Sequence, residues 1–406
     1  MKKRIIAVFT GNRAEYGLQF PVLRAVAAHP DLEYRLIVSG AHLDPDFGGT
    51  LAEIRADGFR VDSEVRIDML GDTQRSTAHA IGTGGISISE ALARIQPDIC
   101  VVYADRFEGF AAVVAGTQMN IPTAHIEGGD ITEGGALDDS VRHAMTKLAH
   151  LHFTTNQQAS NRVLAMGEEP WRVHTVGFPA IDLIQDGNFA TPQEVRERLG
   201  LDLSCPIVLF TQHSVTTEFD QAAAQVGPSL LALDRLAAEG VQVVATYPNN
   251  DAGGRNIITA LKGWLGDGRP GIQVRPSLGR YLYHGVLALA KDPAVRVACL
   301  GNSSSGIKET PAFGCPTVNI GSRQLGRLRG ANVLDADYDS DAIVTATRRC
   351  LMDESFRTVS RVSKNPYGIG DAGLKVAAVL ASVPLGQSLL RKGMTLRGEE
   401  KDGWYR

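Results

Sequence analysis

Short, unbroken apolar runs, each stopping at a loop of small or charged residues, set the tightest limit on how this chain can fold. Ile5-Ile6-Ala7-Val8-Phe9 is continuously apolar and stops at Thr10-Gly11. A run that short, apolar on both faces and closed by a glycine, reads as a strand of a parallel sheet. The pattern recurs. Tyr34 to Val38 stops at Ser39-Gly40-Ala41-His42, Asp98 to Tyr103 at Ala104-Asp105-Arg106, and Pro122 to Ile126 at Glu127. Helical spacing fills the intervals, with Leu18, Val22, Leu23 and Val26 on one face and a further helix over Ser87 to Ile95. Strand, loop and helix in repeated alternation predict an α/β fold built on doubly wound parallel sheets.

The alternation pauses near Gly177-Phe178-Pro179, and Asn188 to Thr191 reads as a linker. Pro206 to Thr211 opens a second series, followed by Val241 to Thr246, Val295 to Leu300 and Pro316 to Ile320. The loops after the last three are Tyr247-Pro248-Asn249-Asn250-Asp251, Gly301-Asn302-Ser303-Ser304-Ser305-Gly306 and Gly321-Ser322-Arg323. A chain of 406 residues is long enough for two cores. The predicted division is an N-terminal Rossmann-like domain over 1–187 and a C-terminal one over 188–375. Residues 376–406 follow as a helix and tail that could pack back on the first domain, with a charged end from Lys392 that is free to fray. Open parallel sheets bind ligands beyond the carboxyl ends of their strands, so two such domains could line one central cleft with these loops.

Composition removes several classes of function. The formal net charge is −4 and no basic run occurs, so nucleic acid is not an expected partner. No membrane association is expected, because no stretch reaches about 18 uninterrupted apolar residues. Met1-Lys2-Lys3-Arg4 leads straight into a strand and not into a signal sequence, which predicts a cytoplasmic protein. Cys100, Cys205, Cys299, Cys315 and Cys350 show no CxxC spacing, and four of these five adjoin apolar runs, the pattern of buried reduced thiols. No GxGxxG follows a strand, and no Gly-Lys-Ser/Thr closes the Gly301 loop, which argues against NAD and against a kinase-type nucleotide site.

The densest chemistry runs from His125 to Phe153. Glu127, Asp130, Glu133, Asp138 and Asp139 crowd among two glycine pairs, ahead of a helix whose apolar face is Val141, Ala144, Met145, Leu148 and Ala149. Asp138 or Asp139 would cap this helix, and Asp138 could pair with Arg142 on its surface. A capped helix with one ion pair would account for these residues without any chemistry. Glu127, at a strand end ahead of Gly128-Gly129, is what points to acid/base work.

In the second half, Gly301 to Gly306 precedes a short predicted helix, Ile307 to Phe313, whose free N–H groups favour phosphate. The serine hydroxyls would add donors, and Glu309 could accept hydrogen bonds from ribose. Arg13, Arg323 and Arg327 follow strand ends and suit phosphate. His213, after Phe210-Thr211-Gln212, could give a proton or positive charge to a departing phosphate. His150 and His152 have metal-like spacing but lack companion ligands, so they read as packing and surface residues and no metal is expected.

Eight segments together resemble the UDP-N-acetylglucosamine 2-epimerase family, in particular its hydrolysing branch. They are Thr10-Gly11-Asn12-Arg13-Ala14-Glu15-Tyr16-Gly17, Ser39-Gly40-Ala41-His42-Leu43, Asp105-Arg106-Phe107-Glu108 and His125-Ile126-Glu127-Gly128-Gly129 in the first half. Asp138-Asp139-Ser140-Val141-Arg142-His143, His213-Ser214-Val215-Thr216-Thr217-Glu218, Tyr247-Pro248-Asn249 and Gly301-Asn302-Ser303-Ser304-Ser305-Gly306 complete the set. The resemblance spans nearly the whole chain.

The resemblance implies a GT-B architecture of two Rossmann-like domains. It implies Asp105, Glu127 and Asp138 as acid/base carboxylates, with Asp139 and Arg142 in support and His213 near the diphosphate. Arg13, His42, Arg106, Asn249, Ser303, Ser304, Glu309 and Arg323 would contact nucleotide or substrate. It implies no cofactor, a nucleotide sugar (most readily a UDP-sugar) as partner, and assembly as a homodimer or homotetramer. The implied reaction converts UDP-N-acetylglucosamine, or a UDP-2,4-diacetamido-6-deoxy analogue, by elimination to a glycal and hydration, to UDP and a free mannose-type sugar for sialic or legionaminic acid biosynthesis. A GT-B glycosyltransferase or a silent nucleotide-sugar sensor would share the architecture. Two residues depart from the family pattern: Glu15 stands where Asp is usual, and Ala104 where Gly commonly precedes the Asp-Arg pair. The segment between Glu127 and Asp138 is longer than in the animal enzymes and closer to bacterial ones.

Overall fold

The apolar runs become the inner strands of two parallel sheets. A computed structural model describes residues 2–43, 50–67, 74–131, 137–249, 253–395, 400–401 and 404–405. Glu133, Asn250 and Asp251, singled out above, lie outside the described residues. The first sheet contains β1 (Arg4–Thr10), β2 (Leu32–Ser39), β3 (Val61–Val65), β4 (Ile99–Tyr103), β5 (Thr123–Ile126), β6 (Leu151–Thr154) and β7 (Val173–Thr175). Their order is β3-β2-β1-β4-β5-β6-β7. The second contains β8 (Ile207–Thr211), β9 (Gln242–Thr246), β10 (Ile272–Arg275), β11 (Val297–Gly301), β12 (Thr317–Ile320) and β13 (Val333–Ala336), ordered β10-β9-β8-β11-β12-β13.

The sequence reading lacked the four sheet edges, β3, β7, β10 and β13, and also the inner strand β6, whose Leu-His-Phe-Thr holds no continuous apolar run. An edge strand is only partly covered, so Val-Asp-Ser-Glu-Val or Ile-Gln-Val-Arg carries no continuous apolar run to find. The helix predicted over Ser87 to Ile95 extends over Gln74–Ile95.

The chain divides into two compact units, Met1–Asp130 with Leu137–Leu183 and Tyr367–Arg406, and Ile131–Ala136 with Ile184–Pro366. In the first unit, β1 alternates between two cores. Ile6 and Val8 pack with Val22, Leu23, Val376 and Leu380 on one side, whereas Ala7 and Phe9 pack with Ile88, Leu92, Ala111 and Val113 on the other. Burying each of the larger side chains among these, Val, Leu, Ile or Phe, contributes about 1.5–3 kcal/mol. In the second unit, Val208, Phe210, Val243, Leu300 and Val318 form the corresponding core.

The returning C-terminal segment is fastened to the first unit by polar contacts as well as by apolar ones. Asp182 accepts the N–H groups of Ala372 and Gly373 at 3.0 and 2.8 Å, where the helix Ala372–Ser382 begins. Arg172, fully buried, donates to the carbonyls of Leu389 and Arg391, each at 2.7 Å. At the start of the charged end Lys392 is tied to the first unit: its ammonium lies 2.9 Å from the buried carboxylate of Glu168 and donates to Lys147 O at 2.7 Å. Among the described residues no helix is long and apolar enough to cross a membrane.

Candidate active site

Each sheet has one place where successive connections leave in opposite directions, between β1 and β4 in the first and between β8 and β11 in the second. Loops diverge there and open a crevice at the carboxyl ends of the strands. The first crevice is flanked by Gly11-Asn12-Arg13 and Ala104-Asp105-Arg106, the second by Gln212-His213 and Gly301 to Ser304.

In the first unit two residues leave their strands in the left-handed region, Ala104 at φ 53° and Glu127 at φ 66°. That conformation costs a non-glycine residue about 1–2 kcal/mol and persists only where the surroundings enforce it. His125 supplies part of the enforcement. It is completely buried, with Nε2 2.7 Å from the Ala104 carbonyl and Nδ1 3.1 Å from Thr146 Oγ1. A carbonyl only accepts, so Nε2 bears the hydrogen and the ring is neutral, consistent with burial lowering its pKa to about 3. The Glu127 N–H donates to Phe153 O at 2.8 Å. Behind it a Cβ on Gly129 would come within 2.3 Å of Ala159 O, so only glycine lets the chain pass there.

Arg142 is only 2 % exposed, paired with Asp105 and, at 2.9 Å, with Asp139. The sequence reading allowed a helix-surface pair with Asp138. The buried partner is instead Asp139, three residues away, while Asp138 is exposed. Neither aspartate is the cap, because both fall within the first turn of the helix Leu137–Leu148. Tyr103, which sequence reasoning passed over, is buried beside them. Its pKa is raised well above the ordinary range by burial first and then by the Glu127 charge, so the phenol stays neutral.

The remaining first-unit residues take varied places. Arg13 is 70 % exposed and pairs with Glu53 at 3.0 Å. His42 is fully buried with both ring nitrogens engaged, Nε2 with Thr10 Oγ1 at 3.0 Å and Nδ1 with Thr50 Oγ1 at 2.6 Å. Burial lowers its pKa to about 4, and it acts as a neutral brace between two loops. Arg106 is half-exposed over the Phe107 ring. His150 and His152 are both buried and neither is a surface residue; His152 Nε2 lies 2.9 Å from Glu168.

In the second unit one buried amide organises the crevice. Asn302 Oδ1 accepts the His213 N–H at 2.6 Å and Nδ2 donates to His213 O at 2.9 Å. The Asn302 carbonyl accepts in turn from Gln324 Nε2 at 2.9 Å and from Arg323 at 3.3 Å. His213 Nδ1 receives the Asn249 N–H at 3.0 Å, which leaves the hydrogen of the neutral ring on Nε2. Burial and the neighbouring Arg323 charge lower the His213 pKa. With no anion beside it the ring is neutral and offers a hydrogen bond.

The predicted helix over Ile307 to Phe313 is two short turns, Ser305–Lys308 and Thr310–Phe313, broken at Glu309. Pro311 has no N–H to continue the first turn. Ser303 and Ser304 are half-buried at the mouth of the loop. Glu309 receives His284 Nε2 at 2.9 Å. Sequence reasoning missed Asn302 as an organiser, and with it His284 and Gln324.

Comparison with known proteins adds what geometry cannot. The sequence profile of the UDP-N-acetylglucosamine 2-epimerase family matches residues 24–381. The chain is 33% identical over 97% of its length to UDP-N,N'-diacetylbacillosamine 2-epimerase (hydrolyzing) of Legionella pneumophila, covering 99% of that protein. It is also 33% identical to a UDP-N-acetylglucosamine 2-epimerase of Neisseria meningitidis, over 86% of this chain and 87% of that one. Among solved structures, the UDP-GlcNAc 2-epimerase from Neisseria meningitidis bound to UDP-GlcNAc matches with a TM-score of 0.77 at 17% identity, covering 93% of this chain and 99% of that one. The fold is thus shared where the sequence has largely diverged.

Proposed function

Because the chain belongs to the UDP-N-acetylglucosamine 2-epimerase family, we propose that it converts a UDP-linked 2-acetamido sugar to UDP and the free 2-epimerised sugar. The near full-length match to the Legionella protein favours UDP-N,N'-diacetylbacillosamine over UDP-N-acetylglucosamine as substrate. This would place the enzyme in sialic or legionaminic acid biosynthesis in the cytoplasm, as a homodimer or homotetramer.

The C2 proton of such a sugar is too weakly acidic to remove alone, so its removal is coupled to loss of the diphosphate from C1. A carboxylate takes the proton, the C1–O bond breaks with its electrons going to UDP, and a glycal remains. Water then adds hydroxide to C1 while C2 receives a proton from the opposite face. Two faces require two proton carriers, a task assigned to Asp105, Glu127 and Asp138. Arg142, between Asp105 and Asp139, fixes the first of these. The Nε2–H of His213 would stabilise charge on the leaving phosphate. Ser303, Ser304, Asn249, Arg13, Arg106 and Arg323 are assigned to the nucleotide and its phosphates, and Glu309 to ribose.

The observation that carries this reading is the Asp105–Arg142–Asp139 cluster at a switch-point edge, beside a Glu127 held on unfavourable backbone. Incubation with a panel of UDP- and GDP-sugars, without acceptor, tests it. Free 2-epimerised sugar and nucleoside diphosphate are expected from one UDP-sugar. Turnover only on addition of a sugar acceptor would instead identify a glycosyltransferase, and binding without turnover a sensor.

A further inference from the structure

A pair of buried carboxyls to which this mechanism gives no task lies around Gly11. Glu15 and Glu108 are 4 % and 2 % exposed. Glu15 Oε2 accepts the Gly11 N–H at 2.9 Å. Glu108 packs on the same glycine, where an added Cβ would come within 2.8 Å of Glu108 Cβ, and its Oε1 would lie 3.2 Å from a Cβ on Gly40. Glu15 Oε1 and Glu108 Oε2 have no hydrogen-bond partner among the described residues.

The cation against the pair is Arg106, with Nε 3.6 Å from Glu108 Oε2. The other ionisable groups nearby are committed elsewhere. Arg13 pairs with Glu53, Asp105 with Arg142, and Tyr16 donates to Asp57, while His42 is held neutral between Thr10 and Thr50. Two buried carboxyls facing one cation cannot both hold a negative charge without a large electrostatic cost.

We propose that Glu15 and Glu108 carry one proton between them at neutral pH, forming with Arg106 a neutral triad whose loss of that proton weakens diphosphate binding at Arg13 and Arg106. The proton resides on Glu15, whose pKa is raised to about 8 by burial first and then by the Glu108 charge. Glu108 is raised by burial too, but Arg106 opposes the shift. Below that value the triad is neutral. Above it a net negative charge stands where an anion must bind, so by linkage diphosphate binding takes up a proton.

The inference rests on the nucleotide-sugar reading, and UDP is the probe. Calorimetry on the full chain, in two buffers of different ionisation heat, is expected to show Kd rising about tenfold between about pH 7 and about pH 9, with proton uptake near the midpoint. Glu15→Gln keeps an acceptor for the Gly11 N–H and is expected to bind with a flat profile and no uptake. Glu108→Gln removes the charge that raises Glu15 and should move the weakening to lower pH. The same alkaline weakening in Glu15→Gln, or an unmoved midpoint in Glu108→Gln, would overturn the proposal. Infrared spectroscopy of the unliganded protein is expected to show a protonated carboxyl band near neutral pH that Glu15→Gln lacks. Absence of that band overturns the shared proton, whereas failure of UDP to bind the native chain overturns the nucleotide reading instead.

Discussion

At the end of β4 the chain turns through Ala104 at φ 53° and delivers a carboxylate; at the end of β11 it turns through Gly301 at φ 125° and delivers serine hydroxyls. The first edge is dense in charge and in strain, with Asp105, Asp139, Arg142, Glu15 and Glu108 at or near it and a neutral His125 behind. The second edge is held by amides, Asn302 and Gln324, which bond backbone and carry no charge. A crevice that must move protons keeps ionisable groups out of water and therefore needs counter-ions beside them. One that must hold a phosphate needs donors and is better without carboxylates at its mouth.

The comparison breaks most sharply at Arg142. Arg142→Met leaves Asp105 and Asp139 without their cation, and a loss of about 3–5 kcal/mol in urea unfolding is expected, with turnover abolished. A loss below about 1 kcal/mol would show that the first edge does not depend on charge balance. At the second edge, Asn302→Ala removes both hydrogen bonds to the His213 backbone. A loss of about 2–3 kcal/mol is expected, together with weaker UDP binding measured by calorimetry.

Acid should separate the two units. In the first unit His42, His125, His150 and His152 have folded pKa values of about 4, 3, 4 and 4, below their ordinary 6.5, against His213 at about 3 in the second. Each is neutral in the folded state but charges on unfolding, so its contribution is complete above pH 6.5 and is lost as pH falls toward those values. Between about pH 7 and about pH 6 the first unit should lose roughly 2–3 kcal/mol and the second, through His213, about 0.7 kcal/mol, visible as a larger acceleration of amide exchange in β5 and β6 than in β8 and β11. Equal acceleration in both units would remove the distinction. The smallest effect is expected at Ala104, where Ala104→Gly should gain about 0.5–1 kcal/mol in thermal unfolding by relieving the left-handed backbone.

How much of this was legible in the sequence follows from what is local. Inner strands with a continuous apolar run announce themselves, whereas β3, β7, β10 and β13 are half-covered and β6 is interrupted by His152, and these five do not. Glu127 was legible as a candidate because a strand end places it, whereas Asp105 became one only through the family resemblance. The choice between Asp138 and Asp139 as the partner of Arg142 was not available, since spacings of three and four both bring side chains together on a helix and only tertiary burial decides. Asn302 and His213 are 89 positions apart, and no short pattern encodes their contact. The alanine at position 104 was visible as a departure from the family, but its positive φ was not.

The central claim, that proton exchange at C2 accompanies release of UDP, is tested most directly by running the reaction with UDP-N,N'-diacetylbacillosamine in deuterated water. The account predicts a free sugar of mannose-type configuration carrying deuterium at C2, with neither exchange nor UDP release in Glu127→Gln. A free sugar that keeps the substrate's C2 configuration and its original hydrogen would show plain hydrolysis at C1 and contradict the account.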